Sequence, residues 1–296
     1  MKNTIFTGAG VAIITPMLQD GSVDFEGLKK LIDFQIDNGT DAIIICGTTG
    51  ESSTLSDEEH RDCIRCAVEH THNRIPVIAG TGSNDTKYAI ELSREAQELG
   101  ADGLLLVTPY YNKCTQRGLI AHYTAIADSV DIPIILYNVP SRTGVAIDVA
   151  TVKALGQHKN IVAVKEASGN IGYTAKLAAQ CGDLVDIYSG NDDMIVPIMS
   201  LGGKGVISVL SNVMPKETHQ MTQYCLENNF AAAAKLQLEY LNLINKLFIE
   251  VNPIPVKKAM ELLGWKVGGL RLPLVEPSEE HIAYIKRELE NAGCKI

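Results

Sequence analysis

The stretch Gly39-Thr40-Asp41-Ala42-Ile43-Ile44-Ile45-Cys46 is a turn followed by an unbroken apolar run. A run this short, rich in β-branched residues and lacking polar alternation, reads as a strand buried on both faces, as strands of a parallel sheet are. The segment before it reads as a helix: Asp24 can cap its start and Gly39 can end it. Working outward, the same unit recurs. Further short runs lie at Val11–Ile14, Val77–Ala79, Leu104–Val107, Ile134–Tyr137, Ile161–Lys165, Asp186–Tyr188 and Gly205–Val209, which makes eight. Amphipathic stretches separate them; Ser56 with Glu59 has the capping-box pattern, and the stretch after Asp85 stops at Gly100. The turn itself echoes, since Gly100-Ala101-Asp102-Gly103 precedes the fourth run as Gly39-Thr40-Asp41-Ala42 precedes the second.

Eight buried strands alternating with helices predict an α/β protein of the (β/α)8 TIM-barrel class. A doubly wound dinucleotide fold would place a GxGxxG turn after the first strand, and Thr15-Pro16-Met17 stands there. Beyond Asn212 only helical patterns remain, at Pro215–Glu227, Ala231–Glu250, Ile254–Leu263 and Ser278–Glu290, broken at Asn252-Pro253 and over Gly264–Pro277. The expected division is therefore a barrel over residues 1–212 and a C-terminal helical extension over 213–296.

Composition narrows the function. Lys and Arg number 26 against 35 Asp and Glu, a net charge of −9, which argues against a nucleic-acid partner. No apolar run approaches the roughly 18 residues of a membrane span. The apolar Gly8–Ile14 is interrupted by Pro16 and Asp20 without a cleavage site after it, so a secretory leader is not expected. Seven cysteines, an odd number, suit free thiols in a reducing cytoplasm.

Barrel enzymes carry their chemistry at the carboxyl ends of the strands. Lys165 ends the sixth run, with Ile161-Val162-Ala163-Val164 leading straight into it. Burial there lowers an amine's pKa, and a neutral amine can attack a carbonyl to form a Schiff base; an ion pair with Glu166 or another carboxylate is the structural alternative. Tyr137 at the neighbouring strand end can shuttle protons, or be a core phenol. Thr48 and Thr49, flanked by Gly47 and Gly50, can relay protons or hold a carboxylate, or merely make a turn. Arg142 offers a bidentate fork for a second carboxylate, unless it is a plain surface arginine.

The segments Gly47-Thr48-Thr49-Gly50-Glu51, Tyr137-Asn138-Val139-Pro140-Ser141-Arg142-Thr143-Gly144 and Val164-Lys165-Glu166-Ala167-Ser168-Gly169 resemble the signatures of the dihydrodipicolinate synthase family, within the N-acetylneuraminate lyase superfamily. Gly80-Thr81-Gly82 and Gly202–Ser208 fit the same order, and the resemblance covers nearly the whole chain. It implies a metal-independent lyase, needing no cofactor, of the diaminopimelate and lysine pathway. Lys165 would form a Schiff base with pyruvate, and the enamine would condense with aspartate semialdehyde to give 4-hydroxy-tetrahydrodipicolinate. By the same pattern Tyr137, Thr48 and Tyr111 would form a proton relay, Tyr111 reaching into a neighbouring subunit. Thr49, the backbone near Ile207, and Gly190 would surround the pyruvate carboxylate, and Arg142 would meet the semialdehyde carboxylate. A homo-oligomer follows, commonly a tetramer built from tight dimers. Feedback-inhibited members carry a glutamate one turn beyond the Asn of Gly-Thr-Gly-x-Asn and a histidine after Gly-Glu-Ser-x-Thr-Leu. Here Asn84 is kept while Tyr88 and Asp57 occupy those places, so inhibition by lysine is expected to be weak or absent.

Other readings carry less. Cys63-x-x-Cys66 with His70 and His72 lacks a second ligand pair and falls inside a helix. Gly202-Gly203-Lys204-Gly205 lacks a complete phosphate-loop run. The enzymatic rival is a class I lyase acting on N-acetylneuraminate or a 2-keto-3-deoxy sugar acid; Arg142 weighs against it, because a sugar aldehyde has no carboxylate beside its reacting carbon. A catalytically silent barrel that binds a 2-oxo acid would not need the lysine together with its relay.

Overall fold

The computed structural model describes residues 4–296. Eight parallel strands, β1 (Gly8–Ala12), β2 (Ala42–Ile45), β3 (Val77–Gly80), β4 (Gly103–Val107), β5 (Ile134–Asn138), β6 (Ile161–Glu166), β7 (Asp186–Ser189) and β8 (Gly205–Ser208), pair in chain order and close as β1 meets β8. Their residues are almost entirely buried, because helices cover the outside and side chains fill the inside. The expected (β/α)8 barrel is the observed fold.

The wall begins with α1 (Phe25–Asp37), α2 (Asp57–Thr71), α3 (Thr86–Glu98) and α4 (Gln116–Ala127). The caps read from sequence are in place: the Asp24 side chain accepts from the Gly27 N–H, Ser56 and Glu59 form both bonds of a capping box, and Asp85 accepts from Lys87. After β5 come the single turn α5 (Pro140–Thr143) and α6 (Val149–Leu155), then α7 (Ile171–Cys181) and α8 (Ile195–Ser200). The eighth helix is α9 (Pro215–Leu226), which packs on β1, β8 and α8. On packing grounds the barrel therefore ends after Leu226, because a boundary at Asn212 cuts the eighth βα unit in two. The extension that remains is α10 (Phe230–Lys246), α11 (Ile254–Leu262) and α12 (Glu279–Asn291), and no helix of the described residues is long and apolar enough to cross a membrane.

The first strand starts three residues before, and ends two residues before, the expected Val11–Ile14. Glycine carries little strand signal, yet Gly10 is required: a Cβ there would sit 2.7 Å from Ile44 Cδ1 and 2.9 Å from Phe6 Cζ. The space it leaves admits the Phe6 ring, stacked on Tyr188 at 4.4 Å between centroids and anchored by the Tyr188 hydroxyl donating to the Phe6 carbonyl at 2.6 Å. Phe6 and Tyr188 thus help fill the barrel interior with Ile44, Ile78, Ile135 and Ile207. Chemistry is left to the opposite mouth.

Candidate active site

Alternation along β5 and β6 aims the side chains. Ile135 and Ala163 belong to the interior cluster while Leu136 and Val164 belong to the layer between sheet and helices, so Tyr137 and Lys165, two residues on, face inward. They are paired in register across the two strands, and the Lys165 ammonium nitrogen lies 4.3 Å from the centroid of the Tyr137 ring. Glu166 faces the other way. Asn138 donates to one of its carboxylate oxygens at 2.7 Å and the Ser168 N–H to the other at 2.7 Å. The alternative of a Lys165–Glu166 ion pair is thereby removed.

Lys165 is 6% exposed, and burial pulls its pKa from the ordinary lysine value down to about 7. Two side chains modulate that value in opposite senses: the Asp192 carboxylate raises it and the Arg142 guanidinium lowers it. Asp192 follows β7, is itself buried, and is held by the N–H groups of Val209 and Leu210 at 3.0 and 2.9 Å. Burial pushes the Tyr137 hydroxyl above its usual range, so it remains a phenol that can give and take a proton at neutral pH.

Gly190, at the end of β7, is set by close approach. A Cβ would stand 2.7 Å from the Ala167 Cβ and 3.1 Å from both Cγ and Cε of Lys165, so a larger residue would displace the lysine stem. Ile207 lines the interior on β8. Thr48 and Thr49 lie in the loop that leaves β2, Thr48 half-buried and Thr49 buried. That loop turns through two non-glycine residues in the left-handed region, Cys46 at φ 56° and Glu51 at φ 53°, conformations that persist where surroundings impose them. Thr15 donates to the Gly50 carbonyl at 2.7 Å from below. Arg142 sits in α5, exposed at the mouth, with Nη2 3.4 Å from the Asn252 carbonyl. Tyr111 is not brought to this group: it follows β4 at φ 68° and is 92% exposed.

The profile of the Dihydrodipicolinate synthetase family matches residues 5–292. The chain belongs to this family. It is 60% identical over 290 residues to the 4-hydroxy-tetrahydrodipicolinate synthase of Lachnoclostridium phytofermentans, covering 98% of this chain and 99% of that one. Identity to the enzyme of the same name from Caldicellulosiruptor saccharolyticus is 56% over 292 residues, with 99% of each covered. The crystal structure of the chloride-inhibited dihydrodipicolinate synthase from Acinetobacter baumannii, complexed with pyruvate, aligns at a TM-score of 0.97 and 45% identity over 99% of this chain and 100% of that one.

In this member of the family the sequence reading passed over four residues, Asp192, Asn252, Lys257 and Arg271. Three belong to the extension and close on the β2 loop from more than 200 residues away. The Asn252 amide reaches the Thr49 hydroxyl at 2.9 Å, Lys257 reaches the Glu51 carboxylate at 2.7 Å with both side chains buried, and the Arg271 N–H reaches the other Glu51 oxygen at 3.1 Å. The Arg271 guanidinium also grips Glu59 and holds that carboxyl down at about 2. The sequence traces of this clasp are the two helix breaks, at Asn252-Pro253 and over Gly264–Pro277, which holds Arg271.

Cys63 and Cys66 are buried on α2, and burial pushes the Cys66 thiol up to about 11. Cys46 is raised well above the usual range, first by its hydrogen bond with Cys63 and then by burial. Neither Cys46 nor Cys66 is a thiolate at neutral pH.

Proposed function

We infer that this chain is a 4-hydroxy-tetrahydrodipicolinate synthase, joining pyruvate to L-aspartate 4-semialdehyde through Lys165. The observation that carries the reading is a buried amine with a pKa near 7, facing a phenol at 4.3 Å at the carboxyl end of a barrel. About half of such an amine is neutral at pH 7, against about one in three thousand for an ordinary lysine.

The neutral amine adds to C2 of pyruvate. Tyr137, with Thr48 and a neighbouring subunit's Tyr111, moves protons so that the carbinolamine oxygen leaves as water and an iminium forms. The Asp192 carboxylate, which favours positive charge on Lys165, acts in the same sense on the iminium. Loss of a methyl proton gives the enamine, whose C3 attacks the semialdehyde aldehyde and forms the carbon–carbon bond. The amino group of the semialdehyde then adds to C2, closes the ring and expels the Lys165 amine. Thr49, the backbone near Ile207, and Gly190 receive the pyruvate carboxylate, and the Arg142 fork receives that of the semialdehyde. Tyr111, 92% exposed on its own chain, suits a role in a partner's site, so the working unit is a homo-oligomer, a tetramer of tight dimers. Seven free thiols support a cytoplasmic location.

The test is turnover of purified protein with both substrates, coupled to the downstream reductase so that nicotinamide oxidation reports the product. Turnover by wild type and none by Lys165→Ala is expected. A borohydride-trapped pyruvate adduct without turnover would transfer the reading to a sugar-acid lyase and dismiss the role given to Arg142.

A further inference from the structure

We propose that Asn252, supplied by the C-terminal extension, is a positioning residue for the pyruvate carboxylate: its side-chain amide donates to the Thr49 hydroxyl and commits that hydroxyl to donate to substrate. The proposal rests on the functional reading above and names a residue that acts through Thr49.

The argument starts from what a hydroxyl can do. Threonine has one proton to give and two lone pairs to receive. Asn252 Nδ2 lies 2.9 Å from Thr49 Oγ1 and fills one lone pair, while among the described residues the Thr49 hydroxyl donates to no protein acceptor. Its proton is therefore left for a ligand, and a carboxylate is an acceptor only. Both residues are buried, Asn252 at 5% and Thr49 at 3% exposure, so solvent does not compete for the bond. Asn252 Oδ1 has no partner among the described residues.

The placement is not accidental to a mobile linker. Asn252 lies between α10 and α11, and α11 is pinned to the same loop by the buried Lys257–Glu51 pair at 2.7 Å. The extension thus holds the β2 loop at Thr49 and at Glu51. The Asn252 carbonyl adds a longer contact, 3.4 Å, to the Arg142 guanidinium. One residue therefore touches the groups assigned to both substrate carboxylates, although only its side chain can be altered by substitution.

The full-length enzyme with Asn252→Ala tests this. Losing one buried hydrogen bond to the hydroxyl should raise the pyruvate KM by about tenfold, with a smaller fall in kcat and a smaller change in semialdehyde KM. Asn252→Asp should be worse than Asn252→Ala, because a carboxylate can only accept and would turn the Thr49 proton away from substrate. A purely structural role would also make a buried Asp costly, but it would show as lost stability in urea unfolding and would not raise the pyruvate KM selectively over the semialdehyde KM. In a Thr49→Val background, Asn252→Ala should add less than about twofold, since the hydroxyl it acts through is gone. Undiminished, multiplicative losses in the double variant would overturn the proposal. So would an unchanged pyruvate KM for Asn252→Ala. If Asn252→Ala does not fold, Asn252→Leu, which keeps the volume and loses the donor, takes its place: a raised pyruvate KM supports the proposal and an unchanged one overturns it. Wild type that forms no trappable pyruvate adduct overturns the functional reading and this proposal together; wild type that forms it while Asn252→Ala behaves identically overturns the proposal only.

Discussion

The pH dependence of adduct formation follows from the position of one amine. Lys165 is held near 7 by burial, with Asp192 raising and Arg142 lowering that value. In the role proposed for Lys165 only the neutral form attacks pyruvate, so the adduct rate should climb about tenfold per pH unit below pH 6, reach half its limit near pH 7, and flatten above pH 8. At pH 7 the neutral fraction is about 1,500 times that of an unperturbed lysine, a difference of more than 4 kcal/mol in the availability of the nucleophile. Quenched-flow mixing with pyruvate, borohydride trapping and intact-mass detection would give the rate between pH 5.5 and 10. Two substitutions test the cause as well as the value. Arg142→Leu removes a cation and should move the midpoint up, whereas Asp192→Asn removes an anion and should move it down. A wild-type rate still rising tenfold per unit beyond pH 9 would refute the reasoning, as would midpoint shifts of the opposite signs.

The same burial has a stability consequence. The folded pKa of Lys165 lies below its unfolded value, so the folded state is penalised most at pH 7 and below, and the penalty fades as pH rises from about 7 to 10.5. Lys165→Met should therefore stabilise the protein, on the order of 2–4 kcal/mol at pH 7 and much less at pH 10, by urea unfolding at the two pH values. Lys257→Met leaves Glu51 as an unpaired buried carboxylate and should cost about 3–5 kcal/mol, while adding Glu51→Gln should recover part of it; equal melting temperatures for all three proteins would contradict the clasp. Lysine should inhibit weakly or not at all. The Tyr88 hydroxyl, pushed up to about 12 by burial and by Asp57, donates to the Asp57 carboxylate at 2.6 Å, so the two substituted positions satisfy each other. Steep inhibition at sub-millimolar lysine in the coupled assay would disprove it.

Much of this was legible in the chain because it is local. Strand-sized apolar runs, Asp24, Ser56 and Asp85 at helix starts, and Lys165 closing an apolar run are patterns of a few residues, and local patterns survive translation into sequence. The first strand slipped because burial and pairing are different things. Ile13 and Ile14 are both buried, but the ladder to β2 ends at Ile13, whose N–H reaches the Ile44 carbonyl at 3.2 Å, while the Ile14 N–H is satisfied by the Asn212 side chain at 3.1 Å. The end of the barrel is no more a local pattern, since α9 looks like any amphipathic helix until its packing on β1 is known.

What sequence by itself determined is the alternation that closes eight strands into a barrel and the order in which Lys165, Tyr137 and the Thr48-Thr49 loop come to its carboxyl mouth. Tertiary structure alone decided the state of the amine and the company of the hydroxyl. A lysine's pKa depends on the solvent excluded around it, and that exclusion is made by residues from many strands at once. Asn252 meets Thr49, and Lys257 meets Glu51, across more than 200 residues. No spacing rule spans that distance, because the contact exists only after the extension has folded back over the barrel mouth.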